Sequence, residues 1–356
     1  MSPAVVSAAV AAPRQPWIRS ARFDGLWILG PPFLALLLVA LLPPAFRTTG
    51  RMPTLAWLVL VVFIDVAHVY STLFRTYLDP VRRHRYRTLL WVVPLACYLA
   101  GAALYWHSAG WFWRALAYGA VFHFIRQQYG FLRLYSRQET APGWHRQLDV
   151  VLIYAATLYP LLYWHLSAPR NFVWFVTGDF LHYDWPMGRL VLSCLFGLLL
   201  VAYLGKEIHA WQRGQPYNVP RNLLLLGTAA SWYVGIVLLN GDLAFTLLNV
   251  VAHGIPYLAL IWVTSQPAGT GRKRAQHWWQ GRTGVALFLG LLLGLAYVEE
   301  GIWDGLVWRE HAPVFGWFQQ LPAVSDSLYL ALLVPLLALP QATHYVLDGF
   351  IWRRNS

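Results

Sequence analysis

Residues 247–261 read LLNVVAHGIPYLALI, a single histidine inside an apolar run that extends over about 242–264. A helix needs roughly 20 such residues, at about 1.5 Å each, to cross the hydrocarbon core of a bilayer. An ionisable side chain at that depth is costly unless it is paired or wet. The stretch therefore raises two questions together: whether the chain is a bundle of membrane helices, and what His253 does inside it.

The rest of the chain answers the first. It is 356 residues long, 58% hydrophobic and only 12% charged, with a mean hydropathy of +0.46, whereas a soluble domain carries about 25% charged residues. Further apolar windows lie at about 24–46, 53–78, 87–107, 110–135, 147–166, 187–211, 219–240, 281–300 and 325–352. The expectation is an all-α, polytopic membrane bundle of about ten transmembrane helices. Residues 1–23 read as a disordered cytoplasmic lead, 24–352 as one transmembrane domain, and 353–356 as a cytoplasmic tail. The first window is too long, and begins too late, to be a cleaved signal segment. Cys97 and Cys194 lie far apart in apolar runs and suggest neither a disulfide framework nor a thiolate site.

The net charge of +12 points to orientation rather than to nucleic acid. Arg14, Arg19, Arg22, Arg82, Arg83, Arg85, Arg87, Arg133, Arg137, Arg146, Arg213, Arg221, Arg272, Lys273, Arg274, Arg282, Arg353 and Arg354 fall on one side of the spans. The other side holds fewer cations and most of the acidic residues, with Glu299, Glu300 and Asp304 reading as a solvated helix end. By the positive-inside rule, both termini are expected in the cytoplasm of a cell with this protein in its membrane.

Four histidines sit within spans: His68, His123, His253 and His344. All four fall on even-numbered, similarly directed helices and within about one turn of a common depth. Each has a polar neighbour three or four residues away, on its own helix face: Asp65, Gln127, Asn249 and Asp348 respectively. A metal-bound imidazole commonly donates its second N–H to such a group. The expected site is therefore a metal held by His68, His123, His253 and His344, with Asp65 and Asp348 as ligands or orienting groups. Gln127, Asn249 and Arg126 stand behind the ligands, Arg126 being deep enough to need a specific partner. Nitrogen and oxygen donors without thiolate suit iron, and also copper, zinc or manganese.

Histidines spread over several spans, together with the terminal H-x-x-x-D-x-x-I-W block at 344–352, resemble the Brp/Blh family. Those bacterial membrane proteins cleave β-carotene to retinal with iron held by histidines. The resemblance implies non-haem iron chemistry in a bacterial inner membrane, although the chain shows no alignable match and no H-x-x-x-H pair. That absence also separates it from membrane desaturases and alkane hydroxylases. The leading expectation is a non-haem metal oxidoreductase or oxygenase acting on a lipid-soluble substrate, with an electron donor as a further partner. The alternatives are a haem-binding electron-transfer protein and a proton-coupled transporter.

Overall fold

In a computed structural model the described residues are 15–140, 142–265 and 282–352, and every regular element among them is helical. We number the long helices in chain order. α1 is a bent pair, Ala21–Leu29 and Pro31–Leu41; α2 is Thr54–Arg75 and α3 Arg87–His107. α4 is Ala109–Tyr135. α5 is Gly143–His165, α6 Pro186–Gln212, α7 Val219–Leu238, α8 Asp242–Ser265 and α9 Thr283–Trp308. α10 is a second bent pair, Ser327–Leu337 and Leu339–Ile351.

Among the described residues, 7 helices are long and apolar enough to cross a membrane, or up to 9 if each bent pair is one span. α4 is the expected span that falls outside this set. It is long enough, but Arg114, Arg126, Arg133, Gln127, Gln128 and His123 lower its hydropathy. The reason is its position: one flank is buried against α3, α5, α7 and α10, so it needs less lipid-compatible surface than a peripheral helix.

The bends follow from proline. Pro31 and Pro32 open the second half of α1 after a 48° turn, and Pro340 opens the second half of α10 after a 43° turn. A proline gives no N–H to the preceding turn, and its ring crowds the carbonyl four residues back. Asp326 caps the start of α10, accepting hydrogen bonds from the N–H groups of Leu328 and Tyr329. In α2 the residues Leu58–Val66 wind as a π-helix that ends just before His68, an irregularity often found beside functional side chains.

α8 is the hub of the bundle. Of its apolar window 78% is buried, against 17% for α3 and for α6, which form the rim. α1, α2 and α7 pack around it. Gly254 lets α2 come close, since a Cβ there would lie 2.8 Å from Ile64 Cγ2 and 3.1 Å from the Ile64 carbonyl oxygen.

Of the expected lead, Trp17 and Ile18 pack against the core and residues 21–23 begin α1. The buried Asp24 carboxylate holds this segment by accepting the N–H groups of Ile18 and Arg19 at 2.5 and 3.1 Å. Residues 1–14, the cations Arg272, Lys273 and Arg274, and the tail 353–356 lie outside the described residues.

The acidic end of α9 is not solvated. Glu299 and Asp304 are 6% and 2% exposed. Asp304 accepts hydrogen bonds from the N–H groups of Glu310 and His311 and from Gln319, and Glu299 accepts one from the Tyr70 hydroxyl. The chain after α9 folds back over this helix end and supplies the Asp304 donors, and α2 supplies that of Glu299.

Candidate metal centre

α2, α4, α8 and α10 each deliver one histidine to the same point. His68, His123, His253 and His344 are 1%, 2%, 1% and 2% exposed. The ring centroids of His68 lie 6.3 Å from His123, 4.6 Å from His253 and 5.1 Å from His344. Those of His123 lie 5.0 Å from His253 and 4.4 Å from His344.

The edges that meet are the Nε2 edges. His68 and His253 approach Nε2 to Nε2 at 3.1 Å, and His123 and His344 do the same at 3.1 Å. One nitrogen from each of His68, His123 and His253 lies within 4.8 Å of the others. Two nitrogens bound to one first-row metal at about 2.0–2.1 Å stand about 3.1 Å apart when their bonds make an angle of about 95–100°. The spacing matches that of neighbouring ligands as well as that of a hydrogen bond between two imidazoles.

The Nδ1 edges turn outward and two of them are tied together. His344 Nδ1 meets Thr72 Oγ1 at 2.7 Å, and Thr72 Oγ1 lies 3.3 Å from the Tyr257 hydroxyl. Tyr257 donates to Asp348 Oδ1 at 2.5 Å, and Asp348 Oδ2 faces His123 Nδ1 at 3.5 Å. The donors run in one consistent sense. His344 Nδ1–H points to Thr72, Thr72 to Tyr257, and Tyr257 to Asp348, which receives His123 from its other side. A carboxylate is an acceptor only, so it terminates both arms. With both Nδ1 atoms protonated, Nε2 of His123 and His344 is left as the free lone pair.

Asp65 and Asp348 are expected as ligands or orienting groups, and the geometry supports either role for Asp348. His123, His344 and Asp348 also form a group of ligand atoms within 4.8 Å. Asp348 sits on the Nδ1 side of both rings, 3.5 Å from His123 Nδ1 and 3.9 Å from His344 Nδ1, which also meets Thr72. Asp65 likewise faces His68 Nδ1, at 3.6 Å, with 32% of its side chain exposed. Asp348 thus stands behind His123 and His344, whereas His68 Nδ1 is buried without a hydrogen-bond partner, Asp65 at 3.6 Å making none to it.

The remaining expected residues are placed as follows. Gln127 donates to the backbone carbonyl of His253 at 2.9 Å, bridging α4 to α8 instead of serving His123. Asn249 donates to the Phe245 carbonyl, and its Oδ1 and His253 Nδ1 are both buried without a hydrogen-bond partner. Arg126 is not part of the site. It is exposed, donates to the Tyr154 hydroxyl at 2.7 Å and lies 4.8 Å over the Tyr129 ring. Its partners are on the outer face of the bundle.

Thr72, Tyr257, Phe124 and Tyr345 were not anticipated. Phe124 stacks on His253 at 3.5 Å between centroids, and Tyr345 on His123 at 5.3 Å. A signal for two of them was present: Thr72 follows His68 by four residues and Tyr257 follows His253 by four. The same helical spacing that picked out Asp348 covers them once hydroxyls are admitted as partners.

Both ends of the site are closed by packing. The segment between α5 and α6 carries no long helix but is firmly placed. Asp179 Oδ2 accepts the N–H groups of Trp174, Phe175 and Val176, and burial pushes this carboxyl up against those hydrogen bonds. Trp174 reaches Phe124, 5.2 Å between centroids. At the opposite end the Arg75 guanidinium lies 3.7 Å over the Trp352 ring.

A second buried polar cluster lies apart from the histidines. Lys206, 2% exposed, pairs with Asp149 and with Glu207, the latter at 2.7 Å. Arg221 pairs with Glu207, with Glu139 at 2.8 Å and with Asp149 at 3.4 Å. It ties α5, α6 and α7 together.

Comparison with known protein families, with characterised proteins and with solved structures finds no match to this chain.

Proposed function

We propose that the protein is an integral membrane metalloenzyme, an oxidoreductase or oxygenase, that binds iron through His68, His123, His253 and His344. Its substrate is a lipid-soluble molecule drawn from the surrounding bilayer. The observation that carries this reading is the meeting of four buried imidazoles by their Nε2 edges, in two pairs at 3.1 Å. Neutral imidazole nitrogen is a ligand for iron, and also for copper, zinc or manganese. Bound iron supplies the capacity to bind and activate dioxygen. The chain's own contribution is to hold the four rings in register, fix two tautomers through the Thr72–Tyr257–Asp348 string, and exclude water with Phe124, Tyr345 and Trp174.

A membrane setting accounts for the exposed apolar rim. Leu190, Leu195, Leu198, Val201 and Leu204 of α6 and Trp91, Leu95 and Leu99 of α3 all face outward. The arginine-rich ends then lie in the cytoplasm together with both termini. The haem alternative fits less well. Two axial histidines bind on opposite faces of a macrocycle, and pairs in contact at 3.1 Å leave no room for one between them.

The test is a visible spectrum of the purified protein with oxygen uptake in nanodiscs of native lipid. The expected result is no Soret band and oxygen consumption that the His253→Ala variant lacks. A Soret band, or uptake unchanged in that variant, overturns the proposal.

A further inference from the structure

A cavity of about 320 Å³ lies between α2, α3 and α10. Its floor is the buried set Val69, Thr72, Thr343, His344 and Leu347, so it reaches the histidine cluster at His344. At its mouth Leu336 is 52% exposed, with Leu73 and Pro94 half-buried. That mouth opens sideways, where α2 and α3 barely touch although both flank α10. In the membrane orientation proposed above it faces lipid chains rather than water.

The walls define what fits. The hydroxyls of Tyr70, Tyr77 and Thr72 are taken up by Glu299, the Leu90 carbonyl, and His344 with Tyr257, while Thr343 Oγ1 is buried without a partner. No charged side chain lines the cavity. A ligand there must be uncharged and mostly hydrocarbon, with Thr343 Oγ1 as one wall group left to pair with a polar atom. Shape narrows the choice further. The lining follows α2 from Val69 to Tyr77 and α10 from Leu336 to Leu347, with about 12 Å of helix between Leu339 and Leu347 alone. A lining that runs along two helices in this way suits an extended hydrocarbon chain.

We infer that this cavity is the substrate chamber of the metal centre, and that it admits an extended hydrocarbon chain directly from the bilayer through the gap between α2 and α3. The inference rests on the metalloenzyme reading for the word substrate, while the chamber and its ligand class rest on the cavity itself. The chain lies along α10 and presents its reactive segment beside His344 and Thr72. Of the four imidazoles, His344 alone lines the cavity, beside the Thr72 hydroxyl that meets its Nδ1.

The experiment is photolabelling of the full-length protein in lipid nanodiscs, using a straight-chain hydrocarbon that carries a mid-chain diazirine. Labelled peptides are mapped by mass spectrometry, and metal content is measured on the same samples. Wild-type protein should be labelled mainly within 69–77 and 336–347, and Leu73→Trp, which fills the mouth, should lose that labelling while keeping its metal. Leu339→Phe is a second filling variant should Leu73→Trp fail to fold. Retained metal with labelling indifferent to both variants, or spread evenly over lipid-facing residues such as Leu95 and Leu198, overturns the inference. A metal-free wild type whose labelling is still lost on filling overturns the metalloenzyme reading instead, leaving a hydrocarbon-binding chamber without the role of substrate site.

Discussion

Asp348 shows how one residue can serve a site from the Nδ1 side of its imidazoles. One of its oxygens ends the hydrogen-bonded string from His344, and the other faces His123 Nδ1, on a different helix, at 3.5 Å. Removing such an orienting group typically weakens metal binding about 10–100-fold. Asp348→Asn and Tyr257→Phe should each weaken iron binding by about that factor, measured by competition with a chelator of known affinity, with unchanged helical content. Affinity that stays at the wild-type level in both would mean that the string is ornamental to the metal. Arg126→Ala is the contrasting case, expected to leave affinity untouched because its partners are Tyr154 and Tyr129.

At the scale of the helices, close approach is what makes the histidines meet. Gly254 is next to His253, and any side chain there presses on Ile64, four residues before His68. Gly254→Leu should force α2 and α8 apart, lowering both metal occupancy and the thermal midpoint; Gly254→Ala should do so less. Full occupancy in the leucine variant would show that the approach is not needed. The depth of the four histidines and their common direction could be read in the sequence, because distance from a span's end converts to height along a helix. Which way each ring's second nitrogen points could not. Local spacing pairs His344 with Asp348, which do stand 3.9 Å apart, and His123 with Gln127, whereas closer contacts give His344 to Thr72, Asp348 to His123 and Gln127 to His253. Helix rotation and packing decide those cross-helix partners, and neither is written in the spacing of one helix. The polarity of α4 misled in a related way. A hydropathy window treats arginine as though every face met lipid, while α4 hides one flank and turns Arg126 toward tyrosines.

For the molecule as a whole, the Lys206 cluster fastens α5, α6 and α7 at their arginine-rich ends. It escaped the sequence reading because Asp149, Lys206 and Arg221 are distant in the chain, and Arg221 counted as a loop cation. Lys206→Ala should destabilise the fold by about 3–5 kcal/mol, since it leaves buried carboxylates uncompensated. The loss would be seen as a lower unfolding midpoint in detergent, and Lys206→Ala with Asp149→Ala should recover part of it. Equal midpoints for wild type and single variant would mean the pairing contributes nothing. Orientation can be checked independently by replacing Cys97 and Cys194 and placing single reporter cysteines at His84 and Asn171. A membrane-impermeant thiol reagent should reach position 84 only from the cytoplasmic face and position 171 only from the other; the reverse pattern would invert the topology. The central claim is that four buried histidines hold one metal centre. The most direct measurement is the metal content, by mass spectrometry, of protein extracted from its own membrane without added metal, beside the four single His→Ala variants. Stoichiometric iron in the wild type, lost in each variant, is the expected result. Wild-type protein free of first-row metals, or two or more variants that keep the full complement, would contradict it.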